Sequence, residues 1–331
     1  MDRRAFLAAV ALAALAAPRL SEGRPVVTTR VPRVGVLGET NPIPWTVRTP
    51  IVDLQCRWAD VQCEPLTQLG SQLVRLDVDV IVAVGAVSAR AAVQSSARIP
   101  IVVVAEGDLG EDAAVERLVW SAPNMTWLSV PSEAGMAQQR LNLLSRVVPR
   151  LRRVAVLSNP DTLANARAAA RLSGGALDAA ADVLLMPART IDDVEHAFVA
   201  MARDGVDGVL VLADTLFAIH AGRLVELAAE AGTPAVYGAP VFVEYGGLMA
   251  LHGDIGDTIR RTAAVVGQIL AGAPPAALVP PARPRPQIAL NLAAAARLGL
   301  AFPPALLAQA VTIDTGLRER EISARLASRG S

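Results

Sequence analysis

Few side chains in this 331-residue chain are placed to do chemistry, and the first clue is a missing one: all 31 basic residues are arginine. Without lysine there is no phosphate loop ending in Gly-Lys, no cofactor Schiff base and no lysine general base. His196, His220 and His252 stand apart, without metal-ligand spacing. Neither a Gly-x-Ser-x-Gly elbow nor a His-Glu-x-x-His helix occurs. The first glycine turn reads Gly35-Val36-Leu37-Gly38 and not Gly-x-Gly-x-x-Gly. What remains is a series of polar, glycine and aromatic residues at or just after apolar runs. They are Glu39 and Thr40, Gly85 to Ser88, Glu106 and Asp108, Ser158, Asn159 and Thr162, Asp214 and Phe217, Tyr237, and Glu244. Groups of these types can contact a ligand. Asp214 suits a ligand amine, and Gly85-Ala86 lets backbone N–H groups approach a carboxylate. On this reading Asp214→Ala lowers ligand affinity and leaves the unliganded melting point nearly unchanged.

Every one of these positions also has a structural explanation. Asp161, Thr162 and Asp214 are helix-capping types at helix starts. Gly85 serves a turn, and Phe217 and Tyr237 serve a core in a chain with few aromatics. Glu106 and Asp108 read as solvated loop charges, His252 as a hydrogen-bonded residue on a crossing strand, and Trp58 and Trp127 as packing residues. Cys56 and Cys63, with six residues between them, leave two readings open. One is a bridge closing a short loop, contributing about 2 kcal/mol; the other is two separate buried thiols.

The amino terminus sets the compartment. Arg3-Arg4 precedes an apolar run, Ala5 to Ala17, that is too short to span a bilayer, and small residues follow at Ser21 and Gly23. Charged head, short apolar middle and small residues at a cut are the parts of a cleaved secretory signal over residues 1–23. The Arg-Arg-x-Phe-Leu order is similar to a twin-arginine signal. An uncleaved amphipathic helix is the alternative. No cysteine follows the run to carry a lipid anchor, and no later stretch reaches about 18 apolar residues. The 31 acidic residues match the 31 basic ones, which argues against a nucleic-acid or anionic-membrane partner.

The positioning elements follow from periodicity. Val31–Glu39, Asp79–Gly85, Pro100–Gly107 and Asn124–Val130 read as strands, most of them apolar on both faces. Pro65–Leu76, Ala86–Ala97 and Glu133–Val148 read as helices. The rhythm restarts with strands at Arg153–Ser158, Asp182–Leu185, Asp207–Ala213 and Pro234–Tyr237. Their helices are Asp161–Ala180, Asp192–Arg203 and Leu216–Ala231, with Asp161 and Asp192 as N-caps and Gly205 and Gly232 at helix ends. Such alternation predicts two α/β lobes with parallel sheets. A strand over Gly247–Gly253, a helix over Ile255–Leu270, a proline-rich link, a strand over Gln287–Leu292 and an Ala-rich helix follow. From about Val311 the chain reads as a polar terminal helix.

In this order the segments resemble the ABC transporter substrate-binding protein family, in its uncharacterised periplasmic component branch. The matching stretches are Arg57-Trp58-Ala59-Asp60, Leu76–Ala83, Ile99-Pro100-Ile101-Val102, Arg140–Leu157 with Asn159-Pro160, and Leu212-Ala213-Asp214. They continue with Pro234-Ala235-Val236-Tyr237, Gly246–Met249, Ile269–Gly272 and Leu298–Pro304. The resemblance implies a type I periplasmic-binding fold: two Rossmann-like lobes with parallel sheets joined by a multi-crossing hinge and enclosing a small organic ligand. The lobes would be residues 30–128 with 254–284, and 129–250 with 287–312, leaving 313–331 as a polar tail. It further implies a monomer without cofactor or enzymatic activity, serving an ABC permease and its separate ATPase subunits. The resemblance favours Gly85, Asn159, Asp214, Tyr237 and Glu244 as ligand residues, to which the strand-end positions Ala86 and Phe217 are added, with an amino acid or related carboxylate as the ligand class. Some members look like binders of aromatic amino acids.

Two departures from the family stand out. Between its first two strands the family carries an amphipathic helix, where this chain has Glu39–Pro50 with Pro42, Pro44 and Pro50. One face of the first sheet then loses its cover, and Trp45 is expected to fold onto it. The family's Ser-Tyr-Gly at the second crossing is replaced by Ala250-Leu251-His252-Gly253. A ligand-silent binding protein, a module for a membrane sensor, or an exported enzyme on the same fold are the competing readings.

Overall fold

The computed structural model describes residues 30–39, 52–106, 117, 122–173, 181–278 and 285–314. Residues 1–23, Thr40, Trp45, Asp108 and the chain beyond Asp314 lie outside the described residues. The chain divides into two compact units, Met1–Val130 with Asp254–Pro284, and Pro131–Gly253 with Arg285–Ser331. It therefore passes from one unit to the other three times.

Unit 1 is built on strands β1 Arg33–Gly38, β2 Asp53–Trp58, β3 Val80–Val84, β4 Ile101–Glu106 and β5 Met125–Val130. All pair in parallel, in the order β2-β1-β3-β4-β5. The central strand Val80-Ile81-Val82-Ala83-Val84 is buried on both faces except at its last residue, as a sheet covered on two sides requires. Helices α1 Ala59–Gln62, α2 Leu66–Arg75 and α3 Ala86–Ser95 connect the strands. Leu69 and Leu73 of α2 meet Leu37, Ile81, Ala89 and Ile101 on one face. Gly35 makes this approach close, because a Cβ there would lie 3.0 Å from Leu73 Cδ1.

Unit 2 begins with helix α4 Glu133–Val147, followed by β6 Arg153–Ser158, α5 Leu163–Ser173, β7 Asp182–Pro187, α6 Ile191–Asp204 and β8 Gly208–Val211. Then come α7 Thr215–Ile219, α8 Ala221–Glu230, β9 Ala235–Tyr237, α9 Val241–Glu244 and β10 Met249–His252. The two units share one device. Asp79 accepts the Arg33 N–H at 2.7 Å in unit 1, and Asp207 accepts the Arg152 and Arg153 N–H groups at 2.9 Å in unit 2. In each, a carboxylate just before one strand holds the start of its neighbour.

Helix α10 Ile255–Leu270 belongs to unit 1. Its Val265, Val266 and Ile269 cover the second sheet face, packing on Val34, Val80, Val82, Val102 and Leu128. Val36 and Leu54 at the β1–β2 corner of that face are only partly buried. The chain then returns to unit 2 for β11 Gln287–Asn291, α11 Leu292–Arg297, α12 Pro304–Leu307 and β12 Thr312–Asp314. The sheet order is β12-β11-β10-β9-β8-β6-β7.

Several sequence expectations are corrected. The second sheet is not wholly parallel: β11 runs antiparallel to β10, with Leu251 opposite Ile288, because the chain re-enters beside the strand it left by. Thr312–Asp314 is a strand paired with β11, not the start of a polar helix or tail. The helix expected over Leu216–Ala231 breaks at His220, which is the C-cap of α7 and the N-cap of α8. Thr190, not Asp192, caps α6, in a capping box with Asp193. Helix α5 starts at Leu163, and the Asp161 carboxylate pairs with Arg189 at 3.0 Å. Gly205 does end α6, in the left-handed conformation at φ 65°.

Candidate functional site

In a parallel sheet the carboxyl ends of strands and the amino ends of the following helices gather on one edge, where loops carry polar groups. In unit 2 that edge brings together Asn159, after β6, and Asp214, after the neighbouring β8. Asp214 Oδ1 accepts from the Leu216 N–H at 2.9 Å and from Asn159 Nδ2 at 3.3 Å. Its Oδ2 accepts from Thr162 Oγ1 at 2.6 Å. Asp214 is therefore the N-cap of α7 and also the centre of a polar cluster. Arg189 and Asp161, both exposed, rim it as an ion pair.

Beneath this cluster lies a layer that sequence reading missed. Asn165 is fully buried; its Nδ2 donates to the Ala213 carbonyl at 2.9 Å and its Oδ1 accepts from the Asn159 N–H at 3.2 Å. Glu133 Oε1 accepts from the Ala213 N–H at 2.9 Å and pairs with Arg140 Nη1. Arg140 Nη2 reaches Glu133 Oε2 at 3.2 Å, and Arg140 Nε donates to the Leu251 carbonyl at 2.8 Å. Arg140 is 1% exposed. The signal available in the sequence was the spacing of Glu133 and Arg140, two turns apart on the otherwise apolar face of α4.

Unit 1 presents a second edge. Gly85 has φ 87° and precedes α3, so Ala86, Val87 and Ser88 form the helix's first turn. Glu39, at the end of the adjacent β1, is exposed, and its Oε2 lies 3.9 Å from where a Gly85 Cβ would stand. A carboxylate acceptor and the positive end of a helix thus lie side by side. Ser88 is fully buried, and its Oγ has no partner among the described residues. On the far side of β1, Trp58 ends β2 with its ring directly over Gly38.

Two candidates occupy different surroundings. Phe217 is fully buried and Tyr237 is 1% exposed, both in the core of unit 2. Tyr237 stacks on Phe242, with ring centroids 4.5 Å apart at 8°. Burial pushes its phenol pKa up. Both side chains pack in that core. Glu244 ends α9 as an exposed residue. Glu106 ends β4, its side chain outside the described set. His252 Nδ1 lies 2.9 Å from the Gly253 carbonyl. Cys56 and Cys63 are both thiols, the first half-buried on β2 and the second exposed. Burial pushes the Cys56 thiol pKa up, against the lowering effect of Arg57. Among the described residues no group of three or more His, Cys, Asp or Glu could hold a metal, and no helix is long and apolar enough to cross a membrane.

Two α/β units with mostly parallel sheets, joined by three chain crossings and carrying polar groups on their carboxyl edges, define the class of type I periplasmic-binding folds. The family described as ABC transporter substrate binding protein matches residues 49–313, and the chain belongs to it. It is thus a solute-binding protein, of a family whose members take small-molecule substrates for an ABC permease. No curated protein matches. Among solved structures, a conserved domain protein from Vibrio cholerae is similar, at 25% identity and TM-score 0.66, over 86% of this chain and 100% of that one. An ABC domain in complex with L-Trp from Streptococcus pneumoniae is 19% identical, with TM-score 0.65 over 86% of this chain and 100% of its own. The ligand-free, open substrate-binding protein CD0873 from Clostridium difficile is 19% identical, with TM-score 0.62 over 86% of this chain and 99% of its own.

Proposed function

We propose that this chain is an exported, monomeric receptor for an amino acid or a closely related small carboxylate, which it delivers to an ABC permease driven by separate ATPase subunits. Residues 1–23 act as its cleaved export signal, of twin-arginine type, and place it outside the cytoplasm. Its work is binding, and it catalyses no reaction. The observation that carries the ligand class is the pairing of Glu39 with the start of α3 at Gly85 and Ala86. A zwitterion needs an anion to receive its ammonium and N–H donors to receive its carboxylate, a few ångströms apart. On unit 2 the candidate ligand residues are Asn159 and Asp214, clustered on its carboxyl edge, and the exposed carboxylate Glu244. The complex of the Streptococcus pneumoniae relative makes L-Trp a sensible first probe.

The test is thermal-shift screening of the mature chain against amino acids, simple carboxylates and nucleosides. A ligand at a hundred times its Kd raises stability by about 2.7 kcal/mol. Glu39→Gln is expected to weaken binding of an amino acid about tenfold, while leaving its des-amino analogue unaffected. Stabilisation by nucleosides with none by amino acids or carboxylates would sink the proposal.

A further inference from the structure

We infer that Glu133 and Arg140 are positioning residues: a buried ion pair that fixes the Ala213–Asp214 link between β8 and α7 and ties it to β10 next to the chain crossings. The sheet leaves two backbone groups without ladder partners. β8 ends at Val211, and the Leu212 N–H still reaches the Leu157 carbonyl, but the Ala213 N–H lies beyond the ladder and finds Glu133 instead. β9 is only three residues long and its last partner on β10 is Ala250, so Leu251 lies past its end; Arg140 supplies the donor for the Leu251 carbonyl. One ion pair serves both gaps.

Stability alone does not account for the pair. Apolar residues of similar volume in place of a buried ion pair are often neutral or stabilising. What an apolar pair cannot do is accept from Ala213 and donate to Leu251. The location gives that service a use. Glu133 comes two residues after the first crossing, at Val130–Pro131, and Leu251 two residues before the second, at Gly253–Asp254. Ala213 directly precedes Asp214, and Asn165 holds its carbonyl while Glu133 holds its N–H. Gly238 closes the remaining side, where a Cβ would lie 2.5 Å from the Ala213 nitrogen. Asp214 therefore follows a residue whose N–H and carbonyl are both held by side chains and whose backbone is backed by Gly238. The bearing of this on recognition rests on Asp214 being a ligand residue; the test reads the protein alone.

The experiment compares two double variants by hydrogen–deuterium exchange resolved to single amides. Glu133→Gln with Arg140→Met removes both charges but keeps an oxygen for the Ala213 N–H. Glu133→Met with Arg140→Met removes that oxygen as well. The expected result is exchange at Ala213 and Leu216 about tenfold faster in the second variant than in the first, with protection in β6 and β8 equal in the two. Equal exchange at Ala213 and Leu216 in both variants would overturn the inference. A uniform loss of protection across β6, β8 and β9 would also overturn it, by making the pair a general support of the fold. The native chain supplies a check that needs no variant. Ala213 and Leu216 should be protected although neither amide is paired within a strand ladder, and exchange there at the rate of an unfolded segment would refute the positioning role.

Discussion

Asp214 shows how a residue can be a candidate ligand contact and a structural element at once. Its carboxylate caps α7, receives Asn159 and Thr162, and sits on a peptide held by buried side chains. The expectation that Asp214→Ala would spare the unliganded protein is therefore revised. Loss of the cap and of two further donors' acceptor is expected to cost about 2 kcal/mol, read as a lower melting temperature, in addition to any loss of ligand affinity. An unchanged melting point would show that water replaces all three bonds. Tyr237 makes a pH prediction. Its folded pKa is raised because burial disfavours the phenolate. A raised folded value stabilises the fold fully below the unfolded value of 10.0 and loses that contribution as pH rises above it. In a Tyr245→Phe variant, which leaves Tyr237 as the sole tyrosine, tyrosinate absorbance should appear only together with alkaline unfolding. Its appearance while circular dichroism still reports a folded chain would contradict the buried placement.

At the scale of elements, glycines decide how closely the edges are built. Gly238 follows β9 and backs onto Ala213, where a Cβ would meet backbone nitrogen and Cα at 2.5 and 2.6 Å. Backbone cannot move aside as a side chain can. Gly238→Ala is thus expected to destabilise the chain by about 2–3 kcal/mol, measured by denaturant unfolding, and more than Gly253→Ala, where nothing lies within 4 Å of the added carbon. Equal effects at the two positions would refute the close approach. The break at His220 has a comparable origin. Asp214 starts a five-residue helix at the strand end, and a second helix must then set out to bury Leu224, Val225 and Ala228 against the sheet. The apolar spacing of the two segments joins smoothly in the sequence, so periodicity read them as one.

At the scale of the molecule, unit 2 is assembled from two distant stretches. β11 completes β10, and Ile288, Leu290, Phe302 and Leu306 share a core with Met249, Leu251 and Leu144. A fragment of residues 131–253 lacks that cover and leaves β10 with an open apolar edge. It is expected to stay unfolded or aggregate, whereas the same fragment joined by a short linker to residues 285–314 should fold with a cooperative transition. Cooperative folding of the shorter fragment would show that β11 is not part of the core. The sequence revealed the alternation of elements, the two units and the strand-end location of Glu39, Gly85, Asn159 and Asp214, because burial on both sheet faces writes itself as short apolar runs ending in polar residues. It did not reveal that Tyr237 and Phe217 point into the core, since an aromatic beside a strand end carries no mark of its direction.

The order of residues alone determined a solute-binding architecture without lysine chemistry, because local periodicity and turn residues are properties of neighbours along the chain. Which strand-end residues stand together, and what lies behind them, follows from packing in three dimensions. The Glu133–Arg140 pair joins backbone groups 80 and 111 residues away along the chain, and such a contact exists only once β8, β10 and α4 have packed. A hydrogen bond depends on ångström distances in space, and no spacing in the sequence encodes them.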